Sequence, residues 1–130
     1  SIYYLFQFKY IIIKYLLLIN VDILNYMFVR TIQIRFINPN TMVYANKKLI
    51  QEGEEIYKQF GCKSITVVKT GTDRLSNIGV WEKDPGNKVF EKLADKYKEL
   101  AKKYEFHSIV GSGSVEIYWD IDKGFLISND

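Results

Sequence analysis

FVRTIQIRFI, residues 28–37, followed by Asn38-Pro39-Asn40, is the stretch from which the fold is read. Side chains alternate between faces along a strand. Phe28, Arg30, Ile32, Ile34 and Phe36 therefore share one face, and Val29, Thr31, Gln33, Arg35 and Ile37 share the other. The first face is apolar except for Arg30; the second is mixed. This is the pattern of a strand covered on one side. Pro39 restricts the residue before it and asparagine favours turns, so the strand ends there.

Downstream, Asn40 or Thr41 is placed to cap a helix. Met42, Ala45 or Asn46, Leu49, Ile50, Gly53, Ile56, Tyr57 and Phe60 recur at helical spacing, and Gly61 stands where a helix stop belongs. Gly53 costs up to about 1 kcal/mol against alanine inside a helix, which implies close packing, here read as packing on the sheet. SITVVKT at 64–70 and LSNIGVWE at 75–82, joined by the turn residues Gly71-Thr72-Asp73, predict a hairpin. Asp84-Pro85-Gly86-Asn87 is a loop. A second helix follows over 88–104, with Val89, Phe90, Leu93, Ala94, Tyr97, Leu100, Ala101 and Tyr104 on one stripe. Residues 107–120 read as one last main strand, and Asp122-Lys123-Gly124 as a turn into a short strand at 125–127.

The order β-α-β-β-α-β, with right-handed crossovers, gives an α+β fold of ferredoxin-like type. It has a four-stranded antiparallel sheet with both helices on one face. The other face, with Thr31, Gln33 and Arg35, is left bare, and a half-apolar bare face calls for a cover. A two-fold homodimer that stacks two such faces is the economical cover.

Val80-Trp81-Glu82 at the end of the third strand, then a short turn, then Val89-Phe90 opening an amphipathic helix, resembles the dimeric α/β-barrel superfamily. It is most similar to the antibiotic-biosynthesis monooxygenase-like branch. The likeness covers residues 27–120 in element order, and in sequence only this short stretch. It implies a dimer with pockets between sheet and helices, and a small organic ligand. It also implies activities ranging from cofactor-free oxygenases to haem-degrading enzymes and isomerases. Many members carry a histidine three residues after the helix phenylalanine, where this chain has Leu93. A haem-degrading activity thus loses its ligand, and no cofactor is expected.

Composition sets further bounds. The chain has 130 residues, 48% hydrophobic and 25% charged, in the usual range of a globular domain. The net charge of +3 is too mild to imply nucleic acid. RNA-recognition domains share this topology, but their basic, aromatic third-strand motif is absent from LSNIGVWE. Cys62 is the single cysteine, so no intrachain disulfide forms, and a reducing, cytoplasmic setting is the simple expectation. Residues 1–26 differ in composition: they lack Gly, Ala, Pro and Arg and are rich in Ile, Tyr, Leu, Phe, Lys and Asn. Those are residue types that AT-rich codons specify. The domain is therefore expected to span 27–130, with 1–26 an apolar extension that need not be native. An added element covering the bare face is the alternative. Lys9, Lys14 and Asp22 interrupt the run and argue against a membrane anchor.

Four residues stand out as candidates for a site. His107 is the lone histidine and the one plausible base; an ordinary strand-start residue is the plainer reading. Arg35, Asn77 and Trp81 are candidates for substrate binding, weighed against interface contacts for the first two and plain core for Trp81. Arg30, on the apolar face, needs a partner if buried, with Glu116 or Asp95 as expected counter-charges. Asp120-x-Asp122-x-Gly124 has its glycine one place early for a calcium loop, so it reads as a hairpin turn and no metal site is expected. The function these features favour is a dimeric protein binding a small organic molecule, with cofactor-free monooxygenase-like chemistry as its enzymatic form. The alternative is a non-catalytic dimeric ligand-binding or protein-interaction domain. Sequence leaves open whether the chain is an enzyme.

Overall fold

The alternating stretch forms β1 (Phe28–Phe36), one residue shorter than its pattern. A computed structural model describes Ile2, Gln7 and residues 27–127. The readings of 1–26 lie, apart from those two positions, outside the described residues, as do 128–130. After β1 come α1 (Met42–Phe60), β2 (Cys62–Gly71), β3 (Arg74–Trp81), α2 (Asn87–Tyr104) and β4 (Phe106–Ser114). The sheet order is β2-β3-β1-β4, all neighbours antiparallel, which is the ferredoxin-like arrangement.

Local chemistry explains the element ends, with two corrections to the sequence reading. Asn38 makes the turn into the first helix. Its side chain accepts from the Asn40 backbone N–H at 3.0 Å and opens a 3₁₀ turn over Pro39–Thr41. Thr41 makes no side-chain cap. Gly61 ends α1 with φ of 85°, as its position implied. Gly53 packs on the other helix rather than on the sheet. A Cβ there would lie 2.9 Å from Leu93 Cδ2 and 2.7 Å from the Tyr57 ring.

The final strand is also divided. Residues 107–120 are not one element, because β4 stops at Ser114, opposite Phe28 at the start of β1. Val115 still donates to the Met27 carbonyl at 3.2 Å. Beyond it, β5 (Ile117–Asp120) and β6 (Gly124–Ile127) pair, among the described residues, only with each other. Asp120 Oδ1 accepts from the Asp122 and Lys123 backbone N–H groups, so the aspartate builds the turn as expected.

The helix-facing side of the sheet holds two hydrophobic clusters. One joins Ile34, Phe36, Met42, Ala45, Leu49, Leu75 and Phe106. The other joins Phe28, Ile56, Trp81, Val89 and Leu93, with Phe90 and Tyr57 packed against it. Tyr97 touches both. The opposite side of the sheet is open, and it exposes Thr31, Gln33, Arg35, Thr66, Val68, Ile78, His107 and Ile109.

Candidate functional site

Between the two clusters, in the layer where sheet meets helices, lies a cavity of about 50 Å³. Its walls are largely apolar: Ile32, Ile34, Leu49, Ile50, Ile65, Leu93 and Phe106, with Trp81 and Gly79. The polar groups reaching it are Arg30, Tyr57, Asn77, Tyr97 and Ser108. Apolar walls with a few converging polar groups are the usual make-up of a small-molecule site.

Each polar group has an identifiable local cause. Strand alternation puts Arg30 on the covered face of β1 between Phe28 and Ile32. Asn77, on β3, pairs in register with Ile32. Its amide exchanges two hydrogen bonds with Asn46 of α1: Asn46 Nδ2 donates to Asn77 Oδ1 at 2.8 Å, and Asn77 Nδ2 donates to Asn46 Oδ1 at 2.7 Å. Both asparagines are buried. The pair ties α1 to the sheet, and each amide satisfies the other. Removing one side with Asn46→Ala should cost about 1–3 kcal/mol, because Asn77 is left buried without its partner. The double variant Asn46→Ala/Asn77→Ala should cost less than the sum of the singles in urea unfolding. Simple additivity would show that the two amides are independent.

Tyr57 of α1 and Tyr97 of α2 meet hydroxyl to hydroxyl across the two helices. Burial pushes both hydroxyls above the ordinary tyrosine range, while the nearby Arg30 guanidinium draws both downward. They remain neutral phenols at neutral pH. The stability consequence has a definite sign. Unfolded tyrosines ionise near pH 10, about the free value. Above that pH the folded chain holds protons that the unfolded chain has lost, so stability falls as pH rises, by about 1.4 kcal/mol per pH unit for each tyrosine. Below it the two states agree and this contribution is flat. The unfolding midpoint should therefore drop above about pH 10, and less steeply in Tyr97→Phe. An equal drop in that variant would contradict the assignment.

Arg30 is 9% exposed, and neither Nε nor Nη1 finds a hydrogen-bond partner among the described residues. Asp95, one of its expected partners, instead holds Lys98 at 3.4 Å. The guanidinium carbon stands 4.2 Å from the centre of the Phe90 ring, a cation–π contact. Burial lowers the Arg30 pKa, and the two tyrosines raise it again. Trp81, 2% exposed, sets its ring edge-on to Tyr57 and Phe90 at 5.7 and 5.5 Å.

The four sequence candidates separate into two pairs. Asn77 and Trp81 line the cavity. Arg35 and His107 are register partners on the open side of the sheet. They flank a larger pocket of about 460 Å³ there, with Gln33, Arg74 and Ser76. Arg35 Nε donates to Asp73 Oδ2 at 3.1 Å. The sheet lies between the two pairs, with Ile34 and Ser108 bordering both pockets. Of the polar groups at the cavity, Tyr57 and Tyr97 were placed by sequence only in helix stripes, as was Asn46, the buried partner of Asn77. For Asn46 a signal existed, since an amide on an apolar stripe requires a partner. Cys62 is half-buried and its thiol, raised by burial, donates to the Ser64 carbonyl at 3.6 Å, consistent with a structural thiol. Among the described residues no cluster of His, Cys, Asp and Glu could hold a metal ion, and no helix is long and apolar enough to cross a membrane.

No family model matches this chain, and no curated protein matches it. Solved structures do share its fold. SnoaB, a cofactor-independent oxygenase from Streptomyces nogalater, is 11% identical with a TM-score of 0.55, over 75% of this chain and 99% of that one. A dimeric ferredoxin-like protein from an uncultured marine organism is 21% identical with a TM-score of 0.51, over 68% and 94%. The de novo designed protein Foldit4 is 13% identical with a TM-score of 0.50, over 68% and 97%. These likenesses establish the ferredoxin-like α+β fold. A designed protein among them is a reminder that function must come from the site.

Proposed function

We propose that this chain binds a small organic molecule in the cavity between sheet and helices, and that two copies pair through their open sheet faces. The observation that carries the first part is the convergence of Arg30, Asn77, Tyr57 and Tyr97 on an apolar cavity walled by Trp81. A cavity needed only for packing would be closed with methyl groups, since voids cost stability. The pairing is supported by the exposed Val68, Ile78 and Ile109 on the open face and by the likeness to a dimeric ferredoxin-like protein. A solution mass of twice the chain's 15.3 kDa is expected; a monomer at micromolar concentration would remove this half of the proposal.

Cofactor-free monooxygenase-like chemistry is the enzymatic extension of the same reading. It draws on the shared fold with SnoaB. Among the described residues neither histidine nor carboxylate lines the cavity, so such an enzyme would have to accept a ligand that is already ionised. His107 and Arg35 would act, if they contribute, from the paired open faces.

Gly79 offers the control. A Cβ there would meet Trp81 Nε1 at 3.5 Å and the Arg30 carbonyl at 3.6 Å, which is ordinary contact. Gly79→Val should fold and fill the cavity. In a thermal-shift screen of small organic molecules, hits should raise the midpoint of the native chain and leave that of Gly79→Val unmoved. Hits that act equally on both, or no hits, would refute the cavity as the binding site.

A further inference from the structure

Arg30 is the feature of the cavity that binding of a neutral molecule leaves unexplained. Every other residue of β1 on the covered face is apolar: Phe28, Ile32, Ile34 and Phe36. At 9% exposure, with Nε and Nη1 lacking hydrogen-bond partners among the described residues, its guanidinium is a buried cation. Taking such a charge out of water costs several kcal/mol unless it is compensated. The neighbours compensate only in part. Phe90 contributes a cation–π contact, its ring centre 4.2 Å from the guanidinium carbon. The Asn46 and Asn77 amides are occupied with each other. Tyr57 and Tyr97 are likewise bonded to each other and carry no negative charge at neutral pH. The cavity thus has a positive wall, apolar walls around it, and no carboxylate lining it among the described residues.

We infer that the ligand is a small organic anion, a short-chain carboxylate held against the Arg30 guanidinium with its hydrocarbon part among Ile32, Ile34, Leu49 and Leu93. This rests on the binding reading above and deepens it. Guanidinium and carboxylate match in plane and charge, and their charge-assisted hydrogen bonds are about twice as strong as neutral ones. The cavity is small, at about 50 Å³, which favours a short-chain ligand. The apolar walls set a carboxylate with a hydrocarbon tail above a bare inorganic anion, which would leave them without a partner.

Titration calorimetry at pH 7 on the full chain, with propionate, its neutral isostere propionamide and inorganic phosphate, tests this. Propionate is expected to bind at least tenfold more tightly than propionamide, and Arg30→Met is expected to abolish that preference. If propionamide binds the native chain as well as propionate, the anion is refuted while the binding cavity stands. If phosphate alone binds, the carboxylate class is refuted. If none binds, the short-chain anion is refuted, and the cavity reading is decided by the Gly79→Val screen. The comparison of charged and neutral isosteres on the native chain decides the matter even if Arg30→Met does not fold.

Discussion

Arg30→Met is expected to raise the stability of the unliganded chain, by about 1–3 kcal/mol. Replacing buried charges by apolar side chains of similar volume is often neutral or stabilising by roughly 1–4 kcal/mol. Here Nε and Nη1 have no hydrogen-bond partner among the described residues, so much of the desolvation cost of the guanidinium is uncompensated. Losing the cation–π contact with Phe90 subtracts about 1–2 kcal/mol from the gain. Methionine is unbranched and flexible enough to fill the space between Phe90 and the tyrosine pair. Urea unfolding with an unchanged slope would measure the gain directly. A loss above about 1 kcal/mol would mean that Arg30 forms a stabilising structural pair, and its role as a ligand anchor would fall. Stability given up at one position to hold a charged group ready is a common sign of a site under functional selection.

Trp81→Ala should have the largest effect on folding. Its ring is 2% exposed, edge-on to Tyr57 and Phe90, and its backbone ends the inner strand β3, opposite Phe28 in β1 and Cys62 in β2. Truncating a buried tryptophan costs about 3–5 kcal/mol, from lost transfer energy and the void left behind. Domains of this size hold about 5–15 kcal/mol in total, so the variant should be largely unfolded on warming. The void would also merge with the existing cavity, since Trp81 forms part of its wall. A cost under about 1 kcal/mol would show that the indole is not packed as described.

Much of this architecture was legible in the residues. Alternation in 28–37 established a half-covered strand, and Arg35 was already assigned to the face opposite Arg30. Gly61 marked a helix end that the structure keeps. The end of α2 carried no such mark: Glu105 takes the left-handed conformation at φ 51° without being glycine. The division between β4 and β5 was also hidden, for a physical reason. The loop-like residues Gly111-Ser112-Gly113-Ser114 all stay within β4, and no turn signal stands at Val115-Glu116 itself. β4 ends where β1 begins, with Ser114 opposite Phe28.

The site was legible in pieces. Asn77 and Trp81 could be named because a polar group and a large aromatic ring on a strand attract notice. Their shared face with Arg30 needed the register between β1 and β3, which no local pattern supplies. Tyr57 and Tyr97 lie 40 positions apart, on stripes that look like ordinary core. Only the packing of α1 on α2 brings their hydroxyls together.

The two tryptophans provide the most direct measurement of the central claim. Trp81 lines the cavity, whereas Trp119 stands 57% exposed on the β5–β6 hairpin. Each contributes one indole N–H resonance, so a single titration with propionate reports on both places. The expected result is that the Trp81 resonance shifts and saturates while that of Trp119 stays where it is. An unmoved Trp81 resonance, at propionate concentrations where binding is otherwise detected, would contradict a ligand between the sheet and the helices.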